Sequence, residues 1–247
     1  MNNEEQVIYE INLETIDPTS SWIILGPPNS GKSTLIKNIL YKNKHRIPLV
    51  RIVCGVPKNN KEYCEIVPPL FVSSEFDIKL EEAFIQRQKA VANKNTIGKY
   101  AMVIYDDIKM DGKNCFNFFN DLFKRNRHYN LLTLTISQYA LDFPPDIRSS
   151  ATYIAIFKYT SNKDIDKLYN NFASNVFRDR KTFNDILDAL TGDYSCMIIK
   201  NCNSTDFSKC IFFYKCIDIT EKFIVGCKEQ HEFSNNRCDI KKRLKLI

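Results

Sequence analysis

Apolar positions along the chain come in two rhythms. Short β-rich runs at 22–25, 49–54, 100–105, 131–137 and 152–158, several of them apolar at consecutive positions, read as strands covered on both faces. Longer stretches at 32–41, 77–93 and 115–124 lie between them and read as helices; in the second, Leu80, Phe84 and Val91 recur at roughly helical spacing. Strand and helix in alternation predict βαβ units and therefore a mainly parallel sheet flanked by helices. Beyond residue 160 the rhythm changes. Two helices, at 163–172 and 182–190, precede β-rich runs at 194–200 and 210–215. The last stretch, 228–247, is polar and basic and reads as a loosely ordered tail. The expected organisation is one domain over 1–227, with a core at about 20–160, a β-containing C-terminal extension at 161–227, and the tail.

Composition narrows the classes without choosing among them. With 44% hydrophobic and 26% charged residues the chain is ordinary globular material, and its 247 residues suffice for one large domain or two small ones. No apolar run approaches the roughly 20 residues of a membrane span. The opening MNNEEQVIYE is acidic and polar, unlike a secretory signal, so a soluble intracellular protein is expected. The net charge of +6 permits an anionic partner without requiring one. The cysteines number nine and include no C-x-x-C pair, which favours reduced thiols. Six of them fall within 196–238 together with His231, but without the spacing of a zinc site; Cys196, Cys210 and Cys216 read as small apolar fillers on strands.

One motif points to chemistry. Gly26-Pro27-Pro28-Asn29-Ser30-Gly31-Lys32-Ser33-Thr34 matches G-x-x-x-x-G-K-[ST], directly after an apolar run and directly before a helical stretch. Such a loop wraps backbone N–H groups around phosphate oxygens at a helix N-terminus, where the helix dipole favours an anion. Gly26 and Gly31 allow close approach and unusual dihedrals. Lys32 is placed to reach the β- and γ-phosphates, and Ser33 to put a hydroxyl on Mg²⁺. Pro27 and Pro28 carry no N–H, so the cradle falls to Asn29 through Thr34 and the prolines stiffen its entrance.

A triphosphate site with Mg²⁺ needs a carboxylate at the end of a neighbouring strand. The run Ala101-Met102-Val103-Ile104-Tyr105 delivers two, Asp106 and Asp107. Asp106 is the candidate Mg²⁺ ligand and Asp107 the group that orients or deprotonates the attacking water. Many ATPases use glutamate there; aspartate shortens the reach by one methylene. The next β-rich run ends in Gln138, a polar tip suited to sensing the γ-phosphate or the water.

In the phosphate loop, in Tyr105-Asp106-Asp107, and in Asn126-Arg127-His128-Tyr129-Asn130 leading to Gln138, the chain resembles the poxvirus-type DNA-packaging ATPases of large DNA viruses, within the FtsK–HerA superfamily. Phe71-Val72-Ser73-Ser74 and Asp146-Ile147-Arg148 add to the likeness, which covers about residues 20–200. Related ATPases occur in virophages and virus-like transposons. The resemblance implies a RecA-like P-loop sheet of order 5-1-4-3-2 and ATP hydrolysis. It further implies a homo-oligomeric ring, pentamer or hexamer, that drives double-stranded DNA of any sequence into a capsid, meets a capsid vertex protein, and works in the host cytoplasm or the virion. Arg127 matches the family arginine that acts as a finger on a neighbour's nucleotide, with Arg125 and Arg148 as alternatives.

DNA contact needs basic loops. Candidates are Lys109 and Lys113, Lys58 and Lys61, the group Lys42, Lys44 and Arg46, and the terminal Lys241-Lys242-Arg243-Leu244-Lys245. Two other classes stay open: a nucleoside or nucleotide kinase on the same scaffold, for which Arg178 and Arg180 lack a lid pattern, and a nucleotide-binding scaffold without motor activity.

Overall fold

The computed structural model describes residues 7–92, 98–202, 204 and 206–244, with side chains as far as residue 237. In chain order the elements are strands β1 (Tyr9–Glu10) and β2 (Ser21–Leu25), helix α1 (Lys32–Asn43), β3 (Leu49–Cys54), α2 (Pro57–Ile66), β4 (Val72–Ser73), α3 (Ile78–Ala92), β5 (Ala101–Asp106), α4 (Lys113–Arg125) and β6 (Leu131–Ser137). There follow α5 (Pro145–Ser150), β7 (Tyr153–Ile156), α6 (Asn162–Leu168), α7 (Arg180–Leu190), β8 (Ser195–Lys200), α8 (Phe207–Cys210), β9 (Ile211–Lys215) and α9 (Lys228–Leu244). All five strands expected of the core form, within a residue or two of the apolar runs.

They join in one sheet of order β1-β9-β8-β7-β2-β6-β5-β3-β4. The central five, β7-β2-β6-β5-β3, are parallel neighbours, and counted along the chain from the phosphate-loop strand their order is 5-1-4-3-2, as the resemblance implied. The extension is not a separate layer. β8 runs antiparallel to β7 and β9 antiparallel to β8, so they widen the same sheet, and β1 closes it beside β9.

Strand alternation sorts each side chain into one of two cores. Ile23, Leu25, Val103 and Tyr105 face the layer of α3, α4 and the C-terminal helices; Trp22, Ile24, Met102 and Ile104 face α1 and α2. Trp22 stacks on Tyr153 at 4.4 Å between centroids and its indole N–H donates to Ser20 Oγ (2.9 Å), so its one polar atom is satisfied. Under α3 lies a buried ion pair. Arg51 of β3 meets Glu81 of α3, with Nε at 2.7 Å and Nη2 at 2.5 Å from Oε1, while Tyr105 O–H donates to Glu81 Oε2 (2.9 Å) and Arg51 Nη2 to Ser73 Oγ (3.1 Å).

Two expectations are corrected. Lys58 and Lys61, expected on a basic loop, lie on α2; Pro57 sits in its first turn, where the missing N–H costs nothing. Residues 228–247, read as a loose tail, hold α9, which is pinned because the Gln230 amide donates to Val50 O (2.7 Å) and its carbonyl accepts Val50 N–H (3.3 Å), while Ser234 Oγ accepts Leu70 N–H (3.2 Å). The side chains of Cys238, Lys241, Lys242 and Arg243, together with Lys245, Leu246, Ile247 and Asn93, lie outside the described residues. Cys196, Cys210 and Cys216 are buried in the two cores, and among the described residues no group of three or more His, Cys, Asp or Glu is placed to hold a metal.

Candidate nucleotide site

The site lies where the parallel strands end. β2 stops at Leu25, the loop 26–31 turns over the sheet edge, and α1 starts at Lys32. Both glycines are required by what surrounds them. A Cβ on Gly26 would stand 2.4 Å from Ser30 Oγ and 2.9 Å from Phe157 Cβ. Gly31 has φ 113°, and its Cβ would meet Phe157 Cε1 at 3.0 Å. Phe157, fully buried, is thus the floor on which the loop rests. Asn29 takes a left-handed conformation, φ 59°. Ser30 Oγ is buried without a hydrogen-bond partner, an acceptor and donor held inside the loop.

The loop borders a cleft of about 520 Å³. Pro28 through Thr34 line it; Gly26 and Pro27 stand behind the wall, and their carbonyls accept from Lys32 Nζ at 2.5 and 2.8 Å. Burial pushes the Lys32 ammonium below its usual pKa, and the charges of Asp106 and Asp107 oppose that shift.

Opposite the loop stand the two acids. Asp106 ends β5 on the α1–α2 face, by the same alternation that sends Tyr105 to the other core. Its Oδ2 accepts from Tyr63 O–H (3.1 Å), Asn59 Nδ2 (3.2 Å) and Cys54 Sγ (3.4 Å). Burial and the Asp106 charge hold the Tyr63 hydroxyl well above its ordinary pKa, so it remains a donor, and they push the Cys54 thiol up to about 12. The Asn59 amide also donates to Ser33 Oγ (3.3 Å). Ser33 and Asp106 therefore turn oxygens toward one point, a donor set that suits Mg²⁺. Asp107 has left the strand, with φ 59°, and is exposed; Gln138 Nε2 donates to its Oδ2 at 3.4 Å.

The remaining expected residues divide. Lys58 lines the cleft, as do Lys37 and Glu62, which pair at 2.8 Å. Among the described residues lining the cleft there are lysines but no arginine. Arg127 is exposed in a short 3₁₀ turn before β6, at the opposite end of that strand, which seven residues of about 3.3 Å rise put on the order of 20 Å away. Arg125 pairs with Asp121 at 3.0 Å, and Arg148 donates to Phe143 O (2.8 Å) and lies over the Phe172 ring. Lys42 pairs with Glu14, Lys44 with Glu221, and Arg46 donates to the Ile16 carbonyl, so that basic group is tied into the structure. Lys61, Lys109 and Lys113 are exposed. Sequence reasoning missed Cys54, Asn59, Tyr63 and Tyr194. Asn59 and Tyr63 share one face of α2 at i, i+4, a signal visible only once α2 is known to be helical.

A model of the family described as Poxvirus A32 protein matches residues 17–245. The chain belongs to that family. This is the poxvirus type of packaging ATPase to which the loop, the acid pair and the Arg127–Gln138 stretch pointed. Among curated relatives of this Poxvirus A32 chain, uncharacterized protein 075L of Invertebrate iridescent virus 6 is 31% identical over 233 residues, covering 92% of this chain and 89% of that protein. Uncharacterized protein 015R of Frog virus 3 (isolate Goorha) is 35% identical over 200 residues, covering 78% of this chain but only 60% of its own length. The genome packaging NTPase B204 of Sulfolobus turreted icosahedral virus 2, solved in complex with ATP-gammaS, shares the fold at a TM-score of 0.57 and 17% identity, over 82% of this chain and 100% of that one.

Proposed function

We propose that this chain is an ATP-hydrolysing motor that drives double-stranded DNA into a viral capsid. One observation carries the reading: the phosphate loop ending β2 faces the acids ending β5 across β6, whose own tip sets Gln138 against Asp107. A nucleoside triphosphate lies with its phosphates on the N–H groups at the start of α1. Lys32 trades the carbonyls of Gly26 and Pro27 for phosphate oxygens, and because those carbonyls hold it in place beforehand, little side-chain order is lost on binding. Ser33 and Asp106 would hold Mg²⁺, which would supply positive charge to offset that of the phosphates. Asp106 is fixed for this by Tyr63, Asn59 and Cys54. Asp107, exposed toward the cleft, takes the proton of the attacking water, and Gln138 fixes the angle of the Asp107 carboxylate.

Among the described residues the cleft has no arginine of its own, and Arg127 lies too far away to serve the cleft of the same chain. It acts on the next copy in a ring, where its planar charge meets the transferring phosphoryl group. Lys109, on the loop that leaves Asp107, and Lys113, at the start of α4, are the exposed basic side chains that would pass motion to a DNA backbone, and a motor of this kind reads no bases. The setting is the host cytoplasm, with the capsid vertex as docking partner.

The test is ATP turnover per subunit, measured against protein concentration with and without linear duplex DNA. Turnover should rise with both, and Arg127→Ala should abolish the rise while leaving ATP binding intact. Turnover that is flat with concentration and blind to DNA would overturn the motor reading.

A further inference from the structure

The chain approaches the phosphate loop a second time, far along its length. Between α7 and β8 it passes through three residues with positive φ: Gly192 (154°), Asp193 (46°) and Tyr194 (61°). A bulky aromatic residue in the left-handed region is uncommon because its Cβ crowds the following carbonyl. Here the turn is locked. Ser195 N–H donates to Gly192 O (2.7 Å), and Cys216 N–H donates to Tyr194 O (3.2 Å). A tight backbone of this kind holds a side chain in a direction that an unstrained strand entry would not give it.

That direction is the nucleotide cleft. Tyr194 is the one aromatic residue among the described residues lining it, and its ring packs beside the loop: a Cβ placed on Gly31 would lie 3.1 Å from Tyr194 Cδ1 and 3.3 Å from Tyr194 Cβ. Yet the side chain is not sequestered, for 59% of the residue remains exposed. A ring held beside the loop and still largely open to solvent presents apolar surface that the fold leaves uncovered.

Sheet order says which end of the nucleotide it would meet. The acids come from β5 and Gln138 from β6, on one side of β2; Tyr194 precedes β8, on the other side, beyond β7. The γ-phosphate belongs with the acids, so the nucleoside trails toward β7 and β8. We propose that Tyr194 is the platform on which the nucleobase of the bound triphosphate stacks. The proposal rests on the phosphate loop gripping the triphosphate and adds the recognition of the other half of the molecule. A ring face accepts any base, so it supplies affinity with little choice among purines and pyrimidines.

Titration calorimetry with magnesium separates the two halves by comparing ATP with inorganic tripolyphosphate. Tyr194→Ala should weaken ATP about tenfold, which is about 1.4 kcal/mol, and leave tripolyphosphate within twofold. Tyr194→Phe should keep both affinities. Tyr194→Trp should report directly: its emission is quenched by ATP and not by tripolyphosphate, against the constant signal of the buried Trp22. Equal losses for both ligands in Tyr194→Ala would make the ring a prop for Gly31 and overturn the proposal, as would an unchanged ATP affinity. A wild-type chain that binds tripolyphosphate as tightly as ATP would sink the base platform while sparing the phosphate loop; a wild type that binds neither would bring down both.

Discussion

The Arg51–Glu81 pair offers a sharp test of what holds the acid-bearing strand in place. Its side chains are 7% and 0% exposed, and Glu81 accepts one hydrogen bond from Arg51 Nε and one from Tyr105, with Arg51 Nη2 in ion-pair contact at 2.5 Å. Removing one member of such a pair leaves the other charge buried and uncompensated, a loss of about 3–5 kcal/mol. Set against a total stability of about 5–15 kcal/mol, that is a large fraction. In a chain of this size each kcal/mol moves the melting temperature by about 2–4 °C, so Glu81→Ala should melt about 8–16 °C lower for a loss near 4 kcal/mol. Glu81→Gln keeps the volume and much of the hydrogen bonding, since the tyrosine hydroxyl can turn to accept, and should fall between. Replacing both partners, Arg51→Met with Glu81→Leu, removes the stranded charge and should recover most of the loss. As a surface reference, Asp146→Ala breaks the exposed Lys124–Asp146 contact and should shift melting by about 2 °C or less. Differential scanning calorimetry of the wild type and the four variants is sufficient. If Glu81→Ala melts within about 3 °C of wild type, or the double replacement is as damaged as the single, the reasoning from charge burial is wrong.

Two further outcomes follow from the site. Asp107→Asn should bind ATP with an affinity close to wild type while turnover falls at least about a hundredfold, within the usual range for losing a general base; retained turnover removes Asp107 from that role. Iodoacetamide at pH 8 should label the exposed Cys202 and spare Cys54, read by peptide mass. Burial first, and the Asp106 charge next, raise the folded Cys54 thiol from 9.0 to about 12. The neutral thiol therefore favours the fold fully below pH 9, and that preference is lost as the pH climbs from about 9 through 12; rapid labelling of Cys54 at pH 8 would contradict this.

What could be read from the chain beforehand was whatever is local. The phosphate loop is nine consecutive residues, and the acids end a run whose apolar character is unbroken. The five buried strands announce themselves because a strand covered on both faces is apolar along most of its length, with few interruptions such as Arg51, Thr133 and Thr135. Helix α2 gave no such signal, since Pro57–Ile66 buries only Tyr63 and Ile66 and its periodicity is thin. Asn59 and Tyr63 become site residues through contacts to Asp106 across 47 and 43 positions, which no spacing rule connects. Tyr194 lies further off still, and its relevance depends on the antiparallel return of β8 beside β7. Helix α9 looked like a tail because what fixes it is a glutamine and a serine bonded to backbone, not an apolar stripe.

The strand that carries the acids is clamped from both faces at adjacent residues. Tyr105 is tied through Glu81 to α3 on one side, and Asp106 through Tyr63 and Asn59 to α2 on the other. Those contacts brace the end of the strand against both helical layers at once. The bracing stops one residue later, at Asp107, where the backbone takes a left-handed conformation and turns out of the sheet toward Lys109.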